Sequence, residues 1–107
     1  MYIPFIETLR DNTRHAEIDI NKKYILLVHP HWYTGKREFR QFLKSIDQSK
    51  DVCAGYTVEC IGHCTMFGIK ILDCIKRYLE RQPYIDSVTI TLKGFLSEYL
   101  LTVKFKN

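Results

Sequence analysis

Lys36 and Arg37 stand where the loop from His29 to Gly35 gives way to an apolar stripe of helical spacing, with Arg40 one turn further on. Cations in the first turn of a helix oppose its dipole, at a cost of about 0.3–1 kcal/mol each at an exposed end. A bound phosphate would reverse that sign, because the free N–H groups of a helix start attract the same anion as the cations do. Gly62 and His63 mark a second strand-to-helix corner, where Gly62 permits a tight turn or a close backbone approach and His63 adds a neighbouring polar group. In the first loop, Trp32 and Tyr33 offer faces for unpaired bases, a contact worth about 1–3 kcal/mol per base. The same residues also have plain structural readings: solvated cations, a glycine chosen for positive φ, and aromatics that hold the loop to the body.

Other chemistries find less support. Cys60, His63 and Cys64, with His29 and His31, suggest zinc, but the usual paired short spacings are missing and Cys60 and Cys64 straddle a strand-to-helix turn. Cys53, Cys60, Cys64 and Cys74 therefore read as small buried hydrophobes in a compartment that keeps thiols reduced, and no metal or cofactor is expected. His15, His29, His31 and His63 would allow a metal-free ribonuclease by general acid and base, yet nothing pairs an acid with a base. With no phosphate-loop lysine motif and no nucleophile elbow, the expectation is a non-enzymatic chain with no small-molecule substrate.

Sixteen Lys and Arg against twelve Asp and Glu in 107 residues leave a formal charge of +4. This suits an acidic partner, RNA or DNA included, and the length suits one domain. No run of about 18 apolar residues is present, so no membrane segment is expected. The first residues also lack a basic region followed by an unbroken apolar stretch. The expected location is intracellular, in the nucleus, the cytoplasm or both.

Positioning these residues falls to six elements. Lys23 to Val28 is a nearly continuous apolar run that suits a strand covered on both faces. From Lys36 to Gln48, Phe39, Phe42, Leu43 and Ile46 form one helical stripe, with Arg37, Arg40, Gln41 and Lys44 on the other side and Thr34 as the N-cap. Tyr56 to Ile61 alternates as a second strand that ends at Gly62. A second helix over 64–81 buries Cys64, Gly68, Ile71, Ile75 and Tyr78 or Leu79, and Pro83 marks its end. Ser87 to Leu92 and Glu98 to Lys106 alternate as two half-buried strands around a turn at 93–97. The order β-α-β-α-β-β predicts an α+β, two-layer fold: a four-stranded mixed sheet with both helices on one face. Residues 1–22 read as an N-terminal extension that docks on this 23–107 domain or on a partner.

This pattern resembles the Alba superfamily of small chromatin and RNA-binding proteins over about residues 22–106. The resemblance rests on the element order, on Gly35-Lys36 opening the first helix, and on the gapless run Gly62-His-Cys-Thr-Met-Phe-Gly-Ile-Lys-Ile-Leu-Asp-Cys-Ile-Lys76. The resemblance implies a homodimer, or a heterodimer with another Alba-like chain, that binds nucleic acid across the face carrying both strand-to-helix corners. Lys36 matches the family's phosphate-contacting lysine, and Gly62 with His63 its glycine and basic residue. Family dimers use the second helix and last strands, which implicates Phe95, Leu96 and Leu100. Phe67 replaces a basic residue found in many members. The Leu92–Tyr99 link is much shorter than the arm with which archaeal members reach duplex DNA, which favours RNA. Two alternatives stand beside this: a protein-interaction subunit of a larger ribonucleoprotein such as ribonuclease P or MRP, and a DNA-binding chromatin protein.

Overall fold

Alternation along the central strands puts one set of their side chains on the helix-covered face. Ile25 and Leu27, Val58 and Cys60, Tyr99, Leu101, Val103 and Phe105, and Val88 are buried in one cluster with the helical residues Phe42, Leu43, Ile46, Leu72, Ile75 and Leu79. The structure, a computed structural model, describes residues 3–9, 13–30, 36–63, 66–93 and 98–107. Its elements are α1 (Pro4–Leu9), β1 (Thr13–Asp19), β2 (Tyr24–Pro30), α2 (Lys36–Gln48), β3 (Thr57–His63), α3 (Met66–Glu80), β4 (Ile85–Lys93) and β5 (Glu98–Phe105). They form an α+β fold around one mixed sheet of order β1-β2-β3-β5-β4.

From β2 onward the predicted β-α-β-α-β-β order is present, but the sheet has five strands rather than four. The additional strand comes from the segment read as an extension. β1 pairs antiparallel with β2 from Thr13↔Pro30 to Asp19↔Tyr24, and Ile3, just before α1, is buried in the core. The segment gave no period to read because its strand residues Arg14 to Ile18 are exposed on both faces. Its turn is built locally: Asp19 Oδ1 accepts from the backbone N–H of Lys22 at 3.1 Å, and Lys23, at φ 51°, takes the left-handed conformation. Lys23 therefore belongs to the turn, and the strand starts at Tyr24.

Where their side chains are described, the helices keep the predicted stripes with one shift; Thr34 and the side chains of Phe39, Cys64 and Gly68 lie outside the described residues. In α2, Phe42, Leu43 and Ile46 are buried, while Arg37, Arg40, Gln41 and Lys44 face water. Two buried serines fit because Ser45 Oγ donates to the Phe42 carbonyl and Ser49 Oγ to the Ser45 carbonyl, each at 2.7 Å. In α3 the deeply buried residues are Leu72, Ile75 and Leu79, so the stripe runs through Leu72, with Ile71 half-buried and Tyr78 exposed. Each fully buried aliphatic side chain contributes about 1.5–3 kcal/mol.

Candidate nucleic-acid interface

β2 and β3 run parallel, with Val28 opposite Ile61. Their C-terminal ends therefore share one end of the sheet, and both strand-to-helix corners open there. β2 ends at Pro30 and α2 starts at Lys36; β3 ends at His63 and α3 starts at Met66. The corner holding Lys36, Arg37 and Arg40 is thus next to the corner holding Gly62 and His63. Trp32 and Tyr33 lie outside the described residues, as does the side chain of Lys36.

A ring contact joins the ends of the two strands directly. The imidazoles of His29 and His63 stack with centroids 5.5 Å apart and planes 14° from parallel. Continued alternation along β2 would set His29 beside Gly62, on the helix-covered side. Instead His29 has φ 53°, a left-handed conformation that histidine tolerates better than most side chains. The alternation of β2 breaks at this residue, and its ring meets His63, which is exposed on the open face. In sequence His29 suggests metal binding or general acid–base chemistry; in the structure it ties the end of β2 to the end of β3. The available signal was its place at the end of a strand parallel to the one ending in His63.

Gly62 is a strand residue rather than a strand terminator. Among the described residues the glycine at positive φ is Gly55, so a positive-φ demand does not explain Gly62. Close approach does: a Cβ there would stand 3.0 Å from Cε1 and Oη of Tyr99, its partner on β5.

Along the last row of the sheet, His63 faces Glu98, and Glu98 faces Lys93. The register therefore places Glu98 between His63 and Lys93. Arg37 and Arg40 are exposed one turn apart, and among the described residues no carboxylate pairs with either. Among the described residues, this end of the molecule presents the guanidinium groups of Arg37 and Arg40 and the imidazole of His63 to solvent, the chemistry that receives phosphate oxygens.

The zinc reading meets a geometric obstacle. Cys60 is fully buried beneath the helices and burial raises its thiol pKa, whereas His63, three residues on in the same strand, is on the other face. Cys64 lies outside the described residues, among which no group of three metal-capable side chains occurs.

Of the residues implicated in a dimer, Phe95 and Leu96 lie outside the described residues. Leu100 is half-buried on the open face, between Ile61 and Thr91, and Ile61 beside it is exposed.

Compared with known proteins, the chain matches no protein-family model, no curated protein and no solved structure.

Proposed function

We propose that the chain is a non-enzymatic, Alba-type nucleic-acid-binding module that contacts RNA and acts as a homodimer or as a heterodimer with another Alba-like chain. The observation that supports this reading is the stack of His29 on His63, which ties together the ends of the two parallel strands from which both strand-to-helix corners start. Lys36, Arg37, Arg40 and His63 hold phosphates there, Gly62 keeps the second corner's strand close to Tyr99, and Trp32 or Tyr33 stacks on a base. RNA is favoured over duplex DNA because β4 and β5 are joined by residues 94–97 alone, too short an arm to reach along a groove.

Filter binding with single-stranded RNA and duplex DNA of equal length tests the proposal. The wild-type chain retains the RNA more tightly, and Arg37→Ala combined with Arg40→Ala weakens retention by about tenfold. Equal retention of RNA by wild type and double variant contradicts phosphate contact at α2.

A further inference from the structure

Besides the corners, a long surface among the described residues is open to another chain: the outer edge of β1. Arg14, His15, Ala16, Glu17 and Ile18 are all exposed, and six positions of the strand hold one register against β2 without a shift. The opposite edge differs. β4 carries a register irregularity between Ile85 and Ser87, a feature that blunts an edge against pairing. β1 has no proline, and two apolar residues at its end are exposed, Ile18 in the strand at 40% and Ile20 in the following turn at 58%.

The charges of this strand are arranged in opposition about Ala16. Arg14 and His15 precede it, and Glu17 and Asp19 follow it. A second β1 laid antiparallel about Ala16 places the basic half of each strand on the acidic half of the other: His15 faces Glu17, Thr13 faces Asp19, and Ile18 lies against the stem of Arg14. Within one strand His15 Nε2 already meets Glu17 Oε1 at 2.9 Å, so the paired strands would form a checkerboard in which each imidazole is flanked by two carboxylates. A parallel copy in register would set like charges together instead. A two-fold axis through Ala16 keeps odd-numbered side chains on the same face in both copies, so the two sheets would continue as one.

We infer that β1 is a self-pairing edge, joining two copies of this chain antiparallel about Ala16. The interface lies across the sheet from β4, and a dimer through it leaves the Leu100 side free. It does not depend on the nucleic-acid reading.

Sedimentation equilibrium of the full chain over a concentration series, without nucleic acid, tests it together with charge exchange. The wild-type chain shows a reversible monomer–dimer equilibrium. Glu17→Lys alone, or His15→Glu alone, weakens dimerisation by about tenfold, and the double variant His15→Glu/Glu17→Lys restores it. Circular dichroism of each variant checks that the fold persists. In a Cys64→Ser/Cys74→Ser background, Ala16→Cys cross-links to its own copy on mild oxidation, because facing Cα atoms in an antiparallel pair are about 4.5–5.5 Å apart, within disulfide reach. A monomer at every concentration overturns the inference. So does a dimer that is indifferent to Glu17→Lys and does not cross-link through Ala16→Cys, since its interface then lies elsewhere.

Discussion

The ring of Tyr99 lies against the backbone of Gly62 so closely that a methyl group at position 62 would stand 3.0 Å from Cε1 and Oη of the tyrosine. Tyr99 is buried, at 2% exposure, and its ring cannot yield without disturbing the core. Gly62→Ala is therefore expected to destabilise the fold by about 1–3 kcal/mol, the cost of overpacking. Urea denaturation reads this as a lower midpoint with an unchanged slope. A variant as stable as wild type would mean that the ring has another place to go.

Ile3 is tied to the core although it lies before the first helix. At 1% exposure, its truncation to alanine leaves a cavity, and Ile3→Ala should cost about 2–5 kcal/mol. If residues 1–22 only rested on a finished domain, the same substitution would leave the melting temperature in place.

Tyr24 donates its hydroxyl to Glu59 Oε2 at 2.9 Å on the open face of the sheet. Burial, with the added hydrogen bond and charge of Glu59, pushes its phenol up to about 12 from an ordinary 10. Because the folded state holds this proton more tightly, the stabilisation is complete below pH 10 and is lost as pH rises through 12. Ultraviolet titration of the native protein should show a late-ionising tyrosine that Tyr24→Phe or Glu59→Gln alters. An unchanged late phase in both variants would contradict the contact.

Thiol reactivity separates the cysteines. Burial pushes the Cys53 thiol up to about 11 and that of Cys60 further, and both side chains are closed to solvent, whereas Cys74 is exposed. Alkylation of the native chain at neutral pH, read by peptide mass spectrometry, should label Cys74 and spare Cys53 and Cys60. Rapid labelling of Cys60 would place β3 outside the core.

Periodicity made the central elements legible. The stripe of Phe42, Leu43 and Ile46 on α2 and the alternation of Tyr99, Leu101, Val103 and Phe105 on β5 each bury one face, and a one-faced pattern can be read without a structure. β1 was hidden because an edge strand with no cover on either side has no apolar face to show. The shift from Ile71 to Leu72 in α3 was beyond reach for a different reason: adjacent aliphatics lie about 100° apart on a helix, and tertiary packing chooses between them. At the candidate site, sequence separation gave the two corners, and the parallel pairing of β2 with β3 brings them together. The His29–His63 stack needed one backbone angle, φ 53° at His29, that no residue pattern encodes.

Polyanion contact at the two corners is what the proposed role requires, and the salt dependence of RNA binding measures it most directly. With three to four phosphates held, the logarithm of the association constant should fall against the logarithm of salt concentration with a slope of about −2 to −3 for a single strand. Lys36→Ala should reduce the steepness by about 0.7, the share of one phosphate on a single strand. Binding that is flat with salt, or a slope identical in wild type and Lys36→Ala, would contradict the proposed role.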